Sequence, residues 1–195
     1  PLAEESGQIV PIGNWVLEQA CRDIMTINKG REIPLSVAVN ISAVQFTQIT
    51  FLQTVRDIMA RTGIDPECLE LEITESVLMA DEDRAIDTIH TLDSMGVRVS
   101  LDDFGTGYSS LAYLRFLPVH KIKIDRSFVR EIAHNKRDNA ILSGIVSMAH
   151  KLNLIVVAEG VEDEIQAQLL RESNCDLLQG FLYAKPQPLA RLVLN

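Results

Sequence analysis

Short apolar runs rich in β-branched residues alternate along this chain with segments of helical spacing, and that alternation restricts the fold more than any other feature. The strand signals are residues 35–40 (LSVAVN), 68–73 (CLELEI), 97–101 (VRVSL), 119–124 (VHKIKI), 154–158 (LIVVA) and 176–178. Helical patterns precede and separate them at 11–27, with Trp15 and Leu17 among its apolar positions, and at 48–61, 81–95, 137–151 and 163–171. In the helix over 81–95, Ala85, Ile86, Ile89 and Leu92 recur on one face, and Gly96 suits the turn that ends it. Strands joined in this way by helices pair in parallel with right-handed crossovers, which leaves an open doubly wound sheet or a (β/α)8 barrel. A closed barrel needs eight strands, and this reading finds six after an opening helix. A barrel therefore carries the expectation of roughly two further strand-forming segments upstream of Pro1.

Each of the six runs has a polar residue in or just after it. Asn40 follows VAV, Glu72 sits in LELEI, Asp102 and Asp103 follow VRVSL, Lys123 sits in HKIKI, Glu159 follows IVVA and Gln179 follows CDLL. In a parallel barrel all strands end at one rim, so these side chains converge where barrel enzymes carry their chemistry. A single acid at a strand end is more often a helix cap or a solvated loop group, but a polar residue on every strand reverses that reading. Carboxylates gathered from Glu72, Asp102, Asp103 and Glu159 repel one another unless cations lie between them. Oxygen donors with an amide, and no Cys or His set, suit Mg²⁺ or Mn²⁺. The adjacent Asp102 and Asp103 suggest two ions, an arrangement that activates water and stabilises both oxygens of phosphate ester hydrolysis.

Composition supports this reading and excludes others. The 195 residues, 47% hydrophobic and 23% charged, can bury an ordinary core, with no linker or low-complexity tract to mark a domain boundary. A net charge of −9 argues against general attraction to nucleic acid or an anionic membrane, so a phosphate ligand requires local cations. No apolar run approaches the ~20 residues of a membrane span, and the start lacks a signal-peptide pattern, so a cytoplasmic location without membrane contact is expected. Cys21, Cys68 and Cys175 have no metal-ligand spacing and read as reduced core or near-core thiols. His90, His120, His134 and His150 share no spacing and read as packing or solvated groups.

The turn at residues 103–108 (DFGTGY) lacks the spacing of a phosphate-cradling loop and reads as a tight turn after a strand. Ser109 and Ser110 suit the cap of the next helix. Glu75, three residues beyond Glu72, reads either as a group that holds the DFGTG loop from the side, the favoured reading, or as a solvated acid. No GxSxG elbow supports serine nucleophile chemistry.

Across almost the whole chain, PLAEESG, VAVNISAVQF, LELEITES, LDDFGTGYSSLAYLRFLPVHKIKIDRSFV, VVAEGVE and LLQGFLYAKPQP together resemble the EAL-domain phosphodiesterases of bacteria. The resemblance implies a (β/α)8 TIM-like barrel that hydrolyses cyclic di-GMP (c-di-GMP) to linear pGpG with Mg²⁺ or Mn²⁺, two ions being expected. It implies that Asn40, Glu72 and Asp102 are metal ligands, and that Asp103 and Glu159 serve the second metal or the attacking water, with Glu159 a candidate general base. It further implies that Lys123 positions that water or stabilises developing charge, that Glu75 steadies the DFGTG loop, and that Glu162 and Gln179 belong to the substrate shell. The Glu-Ala-Leu motif that names the family, and the arginine after it, do not occur in these residues. The expectation is therefore a partial EAL domain over residues 1–195, its first strands missing, with little or no activity by itself and unpaired edges inviting self-association. A homodimer through the face around the DFGTG loop, and upstream sensory or diguanylate-cyclase-like domains, are the partners the family implies. The competing readings are a non-catalytic c-di-GMP-binding or regulatory module and, less well supported, an unrelated Mg²⁺-dependent barrel enzyme such as an enolising lyase.

Overall fold

A computed structural model of the protein describes residues 2–105, 114–133 and 135–192. The turn beyond Gly105, the Ser109 and Ser110 cap and His134 lie outside the described residues. The chain groups into two compact units, Pro1–Asp102 with Ser109–His120, and Asp103–Tyr108 with Lys121–Asn195.

In the first unit, α1 (Leu2–Glu5) and α2 (Ile9–Ile27) lead into β1 (Val37–Ile41), which is followed by α3 (Ala43–Phe46) and α4 (Phe51–Thr62). A 3₁₀ turn at Pro66–Cys68 enters β2 (Leu69–Thr74); then come α5 (Ser76–Ala80), α6 (Glu82–Ser94) and β3 (Arg98–Phe104), whose last two residues open the second unit. β1 and β2 pair in parallel with Asn40 opposite Glu72, and β2 and β3 with Glu72 opposite Ser100 and Thr74 opposite Asp102. α2 packs on α4 and β1 through Leu17, Cys21 and Ile24, all buried. Each such side chain contributes about 1.5–3 kcal/mol relative to exposure. Local chemistry sets the helix ends: the Asp81 carboxylate accepts from the Arg84 N–H to start α6, and Gly96, at φ +81°, turns the chain out of it.

In the second unit, β4 (Lys121–Ile124), β5 (Ile155–Ala158) and β6 (Leu177–Leu178) pair in parallel, with Lys123 opposite Val157 and Val157 opposite Leu177. α7 (Arg126–Arg130) and α8 (Lys136–Lys151) connect β4 to β5, and α9 (Glu164–Glu172) connects β5 to β6. Asp163 and Gln166 form a reciprocal capping box at the start of α9.

Several expectations need correction. β3 does not stop at Leu101 but runs through Asp102 to Phe104, because ladder pairing overrides the low strand propensity of aspartate. Trp15, expected among the apolar positions of the opening helix, is 67% exposed, whereas Leu17 faces the core. α7 has too few residues to show a helical period. Cys21 and Cys68 are buried and Cys175 is half-buried, as the sequence suggests; burial pushes the Cys21 and Cys175 thiols up to about 11.

Candidate active site

Strand alternation decides which side chains share a face. In parallel strands side by side at about 4.8 Å, directly paired residues point the same way. In the first unit this places Asn40, Glu72 and Ser100 in one row, with Asp102 in the row nearer the strand ends beside Thr74. Glu72 and Asp102 are buried, at 7% and 9% exposure, while Asn40 is exposed on β1. Buried acids in the middle of an apolar strand are costly unless hydrogen-bonded, paired or metal-bound, and both Glu72 and Asp102 have polar or charged partners that offset that cost. The Ser100 hydroxyl is buried with no hydrogen-bond partner among the described residues. Sequence reasoning missed it because a serine in a strand carries no signal of its own. Glu75 directly precedes α5 and is half-buried, with no side-chain cap to that helix.

The second unit supplies the charged pair. The Lys123 Nζ lies 2.7 Å from Glu159 Oε1, with the two side chains only 4% and 19% exposed. β4 and β5 create this contact: Lys123 and Val157 are cross-strand partners, and Glu159 follows two residues later on the same face. The ladder continues past the strand ends, with the Glu159 N–H donating to the Ile124 carbonyl at 3.1 Å and the Gln179 N–H to the Ala158 carbonyl at 2.9 Å. Backbone hydrogen bonds thus hold Glu159 and Gln179 in place, although Gln179 is exposed.

Asp103 reaches the same place by a different device. Successive residues of a regular strand point to opposite faces, but Asp103 has φ +53°, a left-handed conformation unusual for a residue with a Cβ. One of its carboxylate oxygens lies within 4.8 Å of one from Glu159. Such backbone strain costs of order 1–3 kcal/mol and persists where surrounding structure enforces it. Gly105, at φ +95°, continues the turn, and a Cβ there would meet the Phe128 ring at 2.9 Å.

Glu162 is exposed beyond β5, and its N–H donates to the buried Gln166 Oε1 at 2.7 Å. Before α7, burial raises the Asp125 carboxyl, but bonds from the Ser127 hydroxyl and the Ser127 and Arg126 N–H groups outweigh it and hold the carboxyl below the usual range. His150 Nε2 meets Asp176 Oδ2 at 2.9 Å and His120 meets Asp93 at 3.4 Å, so both histidines take structural positions.

The Asp103 and Glu159 carboxylates are hard oxygen groups of the kind that suit Mg²⁺ and Mn²⁺. Oxygens on one such ion at about 2.1 Å stand no more than about 4.2 Å apart, so the spacing of Asp103 and Glu159 accommodates an ion with little movement.

Buried acids near the C-terminal ends of parallel strands, a buried lysine on one of them and helices between the strands define an α/β class of protein with its polar groups at the strand ends. The sequence profile of the EAL domain matches residues 1–186, and the chain belongs to the EAL domain family. It is 47% identical, over all 195 of its residues, to the bifunctional diguanylate cyclase/cyclic di-GMP phosphodiesterase MucR of Pseudomonas aeruginosa. The chain spans about a quarter of the length of the curated relatives it matches, 28% in that case and 24% in the next. The structure of the MucR phosphodiesterase in complex with c-di-GMP superposes with a TM-score of 0.95 at 47% identity, covering 99% of this chain and 78% of that one. A manganese/c-di-GMP complex of Klebsiella pneumoniae BlrP1 gives 0.81 at 26% identity, covering 91% and 45%. The α/β fold is that of the EAL-type barrel, as the resemblance implies.

Proposed function

We propose that this chain is the catalytic part of a c-di-GMP phosphodiesterase, opening the cyclic dinucleotide to linear pGpG with Mg²⁺ or Mn²⁺. The observation that carries this reading is the buried Lys123–Glu159 pair beside the strained Asp103, at strand ends of an EAL-family chain. Water adds to one phosphorus as its bond to the 3′-oxygen breaks, leaving a 5′-phosphate and a 3′-hydroxyl. Glu159 accepts the proton of that water, and Lys123 positions the water or offsets charge developing on the phosphoryl oxygens. Asn40, Glu72, Asp102, Asp103 and Glu159 are the residues proposed as ligands of divalent ions, two being expected. Those ions supply charge neutralisation and lower the pKa of bound water. Glu162 and Gln179 contact the substrate, and Glu75 steadies the turn after Asp103. The MucR and BlrP1 complexes support the substrate assignment by analogy with relatives.

Slow turnover by the chain alone is expected, because the Glu-Ala-Leu glutamate is not among its residues. A homodimer and a cytoplasmic setting belong to the same reading; no helix among the described residues is long and apolar enough to cross a membrane. The test is titration calorimetry of c-di-GMP in Mn²⁺, with chromatography of the products. The expected result is binding and slow pGpG formation, with formation abolished by EDTA and by Glu159→Gln. Absence of binding, or turnover that persists in EDTA, overturns the proposal; binding without product at any divalent concentration selects the non-catalytic module instead.

A further inference from the structure

Glu72 and Asp102 each have a hydroxyl residue opposite them on the β2–β3 ladder: Thr74 across from Asp102, and Ser100 across from Glu72. The surroundings of these hydroxyls differ. That of Thr74 shares a hydrogen bond with the Ser76 hydroxyl at 2.7 Å, where α5 begins, so its presence is accounted for locally. Ser100 is fully buried, flanked along the strand by buried Val99 and Leu101, and its Oγ has no hydrogen-bond partner among the described residues. A hydroxyl sealed in that way is a net cost to the fold, and alanine would fill the same place without it. Orphaned buried groups are few in native structures, and each calls for a cause such as a catalytic role or an ion nearby. The row that ends at Ser100 runs from Asn40 through Glu72, both proposed ligands, and Asp102, another, follows two residues later on the same face of β3.

We infer that Ser100 is a positioning residue: its hydroxyl donates to the Glu72 carboxylate when that carboxylate serves a divalent ion, and fixes the orientation in which it does so. This inference rests on the proposed divalent-ion reading and adds a residue to it. Side chains paired across a parallel ladder start about 4.8 Å apart, so rotation about the glutamate's own bonds brings an oxygen to the serine hydroxyl with no movement of the backbone. A carboxylate offers about four lone-pair directions on its pair of oxygens, so one oxygen can face an ion while the other accepts the hydroxyl proton. Such a bond is charge-assisted, roughly twice as strong as a neutral one, and it restrains a long flexible side chain. Ligand groups of metal sites are commonly held by outer hydrogen bonds of this kind, and losing one weakens the metal. The hydroxyl that costs stability in EDTA thus gains its partner in Mn²⁺.

The test is Mn²⁺ binding to the whole chain by titration calorimetry, together with urea midpoints in EDTA, for the unsubstituted chain, Ser100→Ala and Ser100→Thr. Ser100→Ala is expected to bind Mn²⁺ about tenfold more weakly, the lower end of the loss typical when the outer partner of a metal ligand is removed. Its midpoint in EDTA should stay the same or rise, because alanine removes a buried polar atom that had no partner. Ser100→Thr keeps the donor, suits a strand, and should bind Mn²⁺ more tightly than Ser100→Ala. If the added methyl group unfolds the threonine variant, the two alanine measurements decide alone. Three results overturn the inference and leave the divalent-ion reading in place: a Ser100→Ala affinity equal to that of the unsubstituted chain, a fall in its midpoint in EDTA, which would assign the serine to the fold, or a folded Ser100→Thr that binds no better than Ser100→Ala. Absence of Mn²⁺ binding by the unsubstituted chain removes the divalent-ion reading itself, and the inference with it.

Discussion

Breaking the Lys123–Glu159 contact tests whether the charged centre is an interacting unit or a coincidence of neighbours. At 2.7 Å, the Coulomb attraction is about 6 kcal/mol with an effective dielectric constant near 20, before desolvation is subtracted. Removing water from the Lys123 ammonium, whose side chain is only 4% exposed, offsets much of that gain; Glu159 is 19% exposed and loses less. Glu159→Gln leaves the ammonium buried without this partner, and Lys123→Met leaves the Glu159 carboxylate beside that of Asp103. Each single substitution should cost about 3 kcal/mol, at the low end for a broken buried pair because Glu159 is part-exposed. The double substitution should cost less than the sum by about 2 kcal/mol, the coupling between the two groups. Urea unfolding followed by circular dichroism measures all four corners of the cycle, and thermal midpoints of the single variants should fall by roughly 6–12 °C. A coupling below about 0.5 kcal/mol would mean the pair behaves as a solvent-screened surface contact, and the assignment of Lys123 as the interacting partner of Glu159 would fail.

Two further outcomes follow from local geometry. Gly160→Ala should destabilise by about 2–4 kcal/mol, combining left-handed strain with displacement of Arg126. Gly30→Ala, at φ +79° with open space around it, should cost only about 1–2 kcal/mol, so equal midpoints in urea would refute the packing argument. Burial raises the Asp176 carboxyl, but the Val156 N–H and His150 outweigh it and hold it below the usual range. Its stabilisation is thus complete above the unfolded carboxyl pKa of about 3.9 and is lost as pH falls through the lower folded value. Asp176→Asn should therefore cost about 1 kcal/mol from pH 7 to 5, and that deficit should shrink towards pH 3 in urea titrations.

The sequence marked the buried polar residues more sharply than the element boundaries, for a physical reason. Glu70 and Glu72 in LELEI, and Lys121 and Lys123 in KIKI, stand at period two in otherwise apolar strands, a polar-inward pattern that a merely solvated face would not produce beside buried Ile73 or Ile124. A polar residue in or just after each apolar run is what singled out Glu72, Asp102 and Lys123 in the sequence, and the structure buries all three. The partnership of Lys123 with Glu159 has no spacing signature, because register between β4 and β5 creates it and register depends on the whole crossover through α7 and α8. The left-handed turn at Asp103 was unreadable for a related reason: aspartate tolerates that conformation without demanding it, so only the surrounding structure reveals it.

Arg126 shows where sequence reasoning can be extended. Its helix is too short for periodicity, and an isolated arginine after a strand reads as solvated, yet Gly160 is a glycine at a positive φ for which Arg126 fills the only room a side chain would need. A glycine directly after a strand-end acid implies that something must approach that backbone closely. Here the approaching group is a cation on the neighbouring strand's exit. The same backbone feature that frees the turn after Glu159 thus seats the arginine beside it.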